Sequence, residues 1–239
     1  VQSQLLGLGP LQNLFKVDML NVMGLAMVLA ASIWQVSPVR RMRVIWLGLA
    51  TVAVAMVTPI VRDVTWLAAL PDPLEAYLRP AGPYAAFPFF PWAGFLFAGV
   101  IVGELVDAVR TPSAASASGR PTAPTAAAAS VWLRLDVLQT GLVLAGGAAV
   151  LGGWWASWQP SIYPSSSFWN DSPTFFFIRL GLVTLLVPIA WILEQLIAPR
   201  VFAPLVTLGH ASLFVYWIHV EMVYGVAAEP LKRSLPLGQ

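Results

Sequence analysis

Six long apolar stretches constrain the fold of this chain more than any other feature of its sequence. Each is close in length to the ~20 apolar residues that an α-helix needs to cross the hydrocarbon core of a bilayer. The alternating pattern of transmembrane β-strands is absent, so helices remain the way to satisfy the backbone in lipid. The sequence therefore predicts an all-α, polytopic integral membrane helix bundle of about six transmembrane helices. The predicted spans are residues 17–34, 44–61, 92–109, 137–155, 174–197 and 211–228.

The composition supports this class. The chain is 58% hydrophobic and only 10% charged, whereas soluble domains carry about 25% charged residues. That is too little charge to cover a water-soluble surface, which excludes a soluble enzyme, a nucleic-acid-binding module and a disordered chain. The chain has no cysteine, and we find no sequence motif for a metal or a nucleotide phosphate. We therefore expect neither a metal site nor a nucleic-acid partner.

The arginines predict an orientation in the membrane. The loop after the first span holds Arg40, Arg41 and Arg43, and the segments predicted on the same side hold four more arginines. The opposite loops hold only Arg62 and Arg79. Because cytoplasmic loops of membrane proteins carry an excess of Lys and Arg, this distribution places the Arg40 loop in the cytoplasm.

The segments between the spans differ in kind. Residues 111–130, mostly Ala, Ser, Thr and Pro, are typical of a flexible cytoplasmic linker. We predict a single membrane domain over residues 1–239, with three spans in residues 17–109 and three in residues 137–228. The outer segment 62–91 is rich in Pro and aromatic residues, and we expect a short interfacial helix at 74–78 there. Because the chain starts at Val1 without a signal peptide, we also expect further spans upstream of it.

Polar side chains at membrane depth are costly unless they are paired or hydrated, so they are the informative ones. Ser212, Tyr216 and His219 are spaced i, i+4 and i+7 in the sixth span and share one helix face. A neutral imidazole can accept a proton near pH 7, which makes His219 a candidate general base. The alternative, a packing histidine hydrogen-bonded to a neighbouring helix, is equally open from position alone.

Carboxylates and amides near span ends are a second group. Asp18 and Asn21 open the first span on one face, where Asn21 is either an interhelical hydrogen-bonding residue or a substrate contact. Glu104 and Asp107 lie near the cytoplasmic end of the third span, and we expect them to be solvated acids. Glu221 needs a partner at membrane depth. We expect a structural ion pair with Arg179, which is at the same level of the fifth span.

Three stretches together resemble a known family. They are residues 17–25 (VDMLNVMGL), residues 87–95 (FPFFPWAGF) leading into Gly99 and Gly103, and residues 208–221 (LGHASLFVYWIHVE). In order and spacing they are similar to motifs of bacterial relatives of heparan-alpha-glucosaminide N-acetyltransferase. The resemblance covers most of the chain and matches the later part of that family's fold.

The resemblance implies a membrane acyltransferase of the bacterial cytoplasmic membrane. Such a protein takes an acyl group, normally acetyl, from acyl-CoA in the cytoplasm and passes it to a sugar or amino-sugar on the other side. Acyl-CoA is then a co-substrate rather than a bound cofactor, and the lipid bilayer, the acceptor and a second copy of the chain are the expected partners. The family's proposed catalytic histidine lies in earlier spans, so the resemblance assigns no catalytic residue here.

The residues that the resemblance places along the shared cavity are candidates for the site. The substrate-binding candidates are Asp18, Asn21, Trp92, Ser212 and Tyr216, and the catalytic candidate is His219. A basic cytoplasmic mouth for the CoA phosphates would come from Arg40, Arg41 and Arg43, although the positive-inside rule alone also explains these arginines.

Two other functions compete with acyl transfer. A small-molecule transporter or flippase would place its site among broken helices, for which the Gly146-Gly147 and Gly152-Gly153 pairs and Pro188 are permissive. The lack of an inverted repeat and of a charged pair at mid-membrane depth argues against it. A structural subunit without chemistry is made less attractive by the Ser212, Tyr216 and His219 stripe.

Overall fold

The computed structural model describes residue 17, residues 19–80, 87–110, 124–197, 199–212 and 214–216, and residue 218. These residues form helices almost throughout. In chain order the elements are α1 (Met19–Val36), α2 (Arg40–Asp63), a 3-10 turn (Thr65–Ala69), α3 (Asp72–Leu78), α4 (Phe89–Arg110), α5 (Pro124–Ser157), α6 (Pro173–Leu196) and α7 (Pro199–His210).

Five of these helices, α1, α2, α4, α5 and α6, are long and apolar enough to cross a membrane. The described residues contain no β-strand, so the predicted all-α polytopic bundle is confirmed. The first three predicted spans and the fifth agree with these helices to within four residues at each end, whereas α5 ends near the predicted residue 155 and begins thirteen residues before the predicted start at 137. Of the sixth predicted span, Ser212, residues 214–216 and Ile218 are helical, and residues 219–228 lie outside the described residues.

Two helices depart from the sequence prediction. Helix α5 begins at Pro124, so residues 124–130 of the predicted linker are helical, and residues 111–123 lie outside the described part. Alanine is the strongest helix former and proline is favoured in the first turn, which explains the helical start. Helix α7, from Pro199 to His210, was not predicted, because its internal Pro204 interrupts the apolar pattern.

The chain divides into two compact units, Phe15–Ile189 and Ala190–Gln239 together with Val1–Leu14. The division falls within α6 rather than in the predicted linker. In the unit Phe15–Ile189, α4 is the central helix. It packs most extensively on α2 and also contacts α1 and α5. The buried side chains that hold α1, α2 and α4 together include Val22, Ala26, Leu47, Val54, Ala93 and Phe97.

Glycines set the close contact between α5 and α6. A Cβ on Gly181 would lie 2.6 Å from the carbonyl oxygen of Gly146, and a Cβ on Gly153 would lie 2.8 Å from that of Thr174. Small residues at such positions let helix backbones approach closely, which is how helices associate in lipid without a hydrophobic driving force. Gly146 and Gly153 therefore pack helices together, and α5 runs unbroken through both glycine pairs.

The segment between α2 and α4 folds back onto the end of α2. The short helix predicted at 74–78 is present as Asp72–Leu78, and its interfacial position stays a prediction. The Arg79 guanidinium donates hydrogen bonds to the carbonyls of Arg62 (3.3 Å) and Val64 (2.6 Å) and pairs with Glu75 at 2.6 Å. Carbonyls at a helix C-terminus lack intrahelical partners, and a cation there satisfies them.

Candidate functional site

Antiparallel helices give the unit Phe15–Ile189 two ends with different chemistry. We call one the Arg40 end, where α1 and α4 finish and α2 begins. We call the other the Tyr163 end, where α5 finishes, α6 begins and residues 158–172 connect them. The orientation predicted from the arginines makes the Arg40 end cytoplasmic.

Glu104 on α4 is the centre of an ion-pair cluster at the Arg40 end. Its Oε1 accepts a hydrogen bond from the indole Nε1 of Trp34 at 2.6 Å and lies 3.4 Å from Nη1 of Arg43. Its Oε2 accepts from Nε of Arg40 at 3.3 Å. Arg40 also pairs with Asp107 through Nη2, and the Arg43 guanidinium lies 4.6 Å from the Trp34 ring centroid, in a cation–π contact. These contacts join the ends of α1, α2 and α4.

The cluster changes the interpretation of two sequence predictions. The Glu104 side chain is only 10% exposed, so the prediction of a solvated acid is wrong for Glu104, whereas Asp107 at 63% exposure agrees with it. Arg40 and Arg43, predicted to bind CoA phosphates, already face carboxylates, and Arg41 is exposed. A phosphate ligand for Arg40 or Arg43 must therefore compete with Glu104.

The remaining candidates in this unit lie towards the opposite end. Asn21 is in the first turn of α1, and Asp18 lies outside the described residues. Trp92 is in the first turns of α4, with ring centroids 5.2 Å from Phe87 and 5.9 Å from Phe95. Just before it, Phe90 has an extended backbone (φ −92°, ψ 120°) and the Phe90–Pro91 peptide bond is cis.

The candidates of the sixth span belong to the other compact unit. Ser212 and Tyr216 are helical, and Tyr216 has an interaction partner. His219 lies outside the described residues, so its role stays a prediction. The same holds for the predicted pair of Glu221 with Arg179, since Glu221 is also outside. Arg179 itself lies 3.9 Å from the Phe175 ring centroid.

A cavity at the Tyr163 end was not predicted from the sequence. Its volume is about 620 Å³, and it lies between α5, α6 and residues 158–172. Small residues line its α5 side, and hydroxyl groups line its outer part. The only signal in the sequence was a serine-rich loop without Lys or Arg between two spans, and this loop carries no motif. The lining hydroxyl side chains are Ser157, Ser161, Tyr163, Ser166, Ser172 and Thr174.

Tyr163 anchors the loop that covers this cavity. Its phenol donates a hydrogen bond of 2.7 Å to the carbonyl oxygen of Met56 on α2. Burial raises the pKa of Tyr163 above its ordinary 10.0, because the phenolate would lose hydration. Tyr163 also lines a smaller cavity of about 230 Å³ with Pro59, Ile60 and Asp63. Tyr163 therefore lines two cavities, and its hydrogen bond joins the loop to α2.

In the part of the chain that the structure describes, five helices are long and apolar enough to cross a membrane and no β-strand is present, which defines the class as a polytopic integral membrane protein. Comparison of the chain with protein-family models, with curated proteins and with solved structures finds no match. The family resemblance of the three sequence stretches therefore stays a prediction.

Proposed function

We propose that this protein is an acyl-CoA-dependent acyltransferase of the bacterial cytoplasmic membrane, which delivers acetyl groups to a sugar or amino-sugar acceptor on the opposite side. The resemblance of the three stretches supports the reaction. The observation in the structure that carries the proposal is the difference between the two ends. One end presents arginines, and the other presents a hydroxyl-lined cavity of about 620 Å³, within the size range of small-molecule sites.

The reaction requires one proton acceptor. The acceptor's amine or hydroxyl attacks the thioester carbonyl, the carbon–sulfur bond breaks, and a carbon–nitrogen or carbon–oxygen bond forms. CoA leaves as a thiolate and takes up a proton to become the thiol. The acceptor's proton passes to a base, for which we propose the imidazole of His219, since its ordinary pKa suits transfer near neutral pH.

The charges at the Arg40 end support binding of the CoA phosphates there. Three arginines and two carboxylates leave a positive balance, and Arg41 is the exposed arginine among them. We propose that Arg41 meets the phosphates directly. Arg40 and Arg43 pair with Glu104 and so stabilise the helix ends. They contact a phosphate only when that phosphate displaces the Glu104 carboxylate.

The helices argue against the competing transporter function. Transporter sites are typically built from discontinuous helices near the bilayer midplane. Here α5 continues through Gly146-Gly147 and Gly152-Gly153, and α6 continues through Pro188. The two glycine pairs and Pro188, which were permissive for a transporter, are therefore parts of continuous helices. These helices favour acyl transfer over transport.

Acyl transfer is tested with the full-length protein reconstituted in lipid vesicles. Radiolabelled acetyl-CoA is supplied on one side and glucosamine on the other, and labelled N-acetylglucosamine is measured. His219→Ala should lower turnover by about 10²-fold if His219 is the general base, with an unchanged melting temperature. His210→Ala is the matched control, since His210 is the other histidine of the chain, and it should retain wild-type turnover.

Two outcomes contradict the proposal at different levels. Transfer no greater than in protein-free vesicles, with glucosamine and with a panel of other amino-sugars and sugars, overturns the acyltransferase function. Wild-type turnover of a folded His219→Ala variant overturns only the assignment of the base.

A further inference from the structure

We propose that the cavity between α5, α6 and residues 158–172 binds a neutral lipid whose head group carries hydroxyls, with its hydrocarbon chain on α5 at Gly152, beside the close contact of α5 with α6. This inference concerns the same cavity as the proposed function, and lipid binding tests it without any measurement of acyl transfer. It follows from the depth of the cavity, from the use of its hydroxyl protons and from the absence of charge in its described lining.

The inner part of the cavity fits a hydrocarbon chain. It is lined by Ala148, Ala149 and Gly152 on α5 and by Phe177 on α6. Gly152 lies five residues before the end of α5 at Ser157, which places it about 8 Å inside the span at 1.5 Å per residue. A Cβ on Gly152 would meet no atom within 4 Å. This inner part of the cavity, which we call the slot, is therefore open, apolar and at the depth of lipid chains.

Most hydroxyl protons in the outer part of the cavity are used in hydrogen bonds within the protein. Ser157 donates its hydroxyl proton to the Trp154 carbonyl at 2.6 Å, and Tyr163 donates to Met56. Ser161 donates to the Tyr163 carbonyl at 3.1 Å. The Ser157 and Tyr163 oxygens keep acceptor capacity after their protons are used, whereas the Ser161 oxygen already accepts from the Tyr163 N–H and from Ser166.

Two hydroxyl pairs at the rim extend this pattern. Ser161 and Ser166 share one hydrogen bond at 3.1 Å, and Ser172 and Thr174 share another. Each pair consumes one further proton. A ligand with several hydroxyl donors, such as a glycerol head group, matches such a rim better than a head group that only accepts.

The charge of the lining selects against ionised lipids. The side chains described around this cavity include no Asp, Glu, Lys or Arg. A phosphate or carboxylate placed there would lose part of its hydration without gaining a counter-charge, which is unfavourable. The lining therefore favours a neutral head group over a phospholipid or a fatty acid.

The test measures binding of a radiolabelled monoacylglycerol to the full-length protein in detergent. We expect saturable binding that excess unlabelled monoacylglycerol displaces. Lysophosphatidylcholine and a fatty acid of the same chain length should compete at least about tenfold more weakly, equivalent to about 1.4 kcal/mol. Binding that does not saturate, or equal competition by either charged lipid, overturns the proposal.

Variants of α5 locate the bound lipid. Gly152→Leu fills the slot and should weaken binding by about tenfold or more, and Ala148→Leu, on another lining residue, should do the same. Gly147→Leu is the matched control, because a Cβ there also meets no atom within 4 Å and Gly147 does not line the cavity. It should bind like the wild type. Wild-type binding by either folded slot variant, or equal loss in the control, overturns this location.

Discussion

Replacing Glu104 by glutamine tests whether the ion-pair cluster holds the helix ends together. The Glu104 side chain is 10% exposed and that of Arg43 13%, so the pair is largely out of water. Removing one partner of a buried pair typically costs 3–5 kcal/mol. The loss around Arg40 is smaller, because Arg40 is 37% exposed and keeps Asp107. Glutamine retains an acceptor for the Trp34 indole. We expect Glu104→Gln to lower the free energy of unfolding by about 3 kcal/mol.

The assay is equilibrium unfolding in mixed micelles, followed by tryptophan fluorescence. Asp107→Asn is the control, since the Asp107 side chain is 63% exposed and its loss should cost about 0–1 kcal/mol. Adding Arg43→Gln to Glu104→Gln should recover part of the loss, because the uncompensated charge is then removed. If Glu104→Gln costs no more than Asp107→Asn, the pair is not shielded from water as the structure places it, and the reasoning is refuted.

Two further predictions concern the Tyr163 end and the α5–α6 contact. Gly181→Ala should lower the free energy of unfolding by about 1–3 kcal/mol through overpacking, since its Cβ would lie 2.6 Å from a backbone oxygen. Gly147→Ala should leave the free energy of unfolding unchanged, because a Cβ there meets no atom within 4 Å. Equal stabilities of the two variants in a micelle unfolding assay would contradict this prediction. Tyr163→Phe should cost about 0.5–1.5 kcal/mol near pH 7 by losing the bond to Met56. Because the pKa of Tyr163 is raised above 10.0 in the folded protein, its contribution is present below pH 10 and is lost as the pH rises through the folded pKa. Above pH 10 the melting temperature should therefore fall less steeply with pH in Tyr163→Phe than in the wild type. Identical slopes in the two proteins would contradict this prediction.

The spans were predictable because hydropathy and length determine them locally. An apolar run of the right length has few alternatives in a chain with so little charge. The short helix after Pro71 was also predictable in part, since Pro73 and Asp72 favour a helix start. The helical start at Pro124 was missed because an Ala-rich segment with Ser and Thr resembles a linker in composition.

The contacts between helices were not predictable from one sequence. Glu104 pairs with residues more than 60 positions earlier, so its burial depends on tertiary packing rather than on any local pattern. The role of Gly146 as a packing residue likewise required the position of Gly181 on the neighbouring helix. The cavity at the Tyr163 end is formed by single hydroxyls from two helices and a loop, which leave no spacing to detect.

The cluster around Glu104 also implies an order of assembly. Arg40 precedes Glu104 by 64 residues, which at about 5–20 residues per second corresponds to several seconds of synthesis. The Trp34–Arg43 cation–π contact joins only α1 and α2, so it can form before α4 is synthesised. We therefore expect the α1–α2 pair to form before the Glu104 carboxylate reaches it, and α4 to pack against that pair.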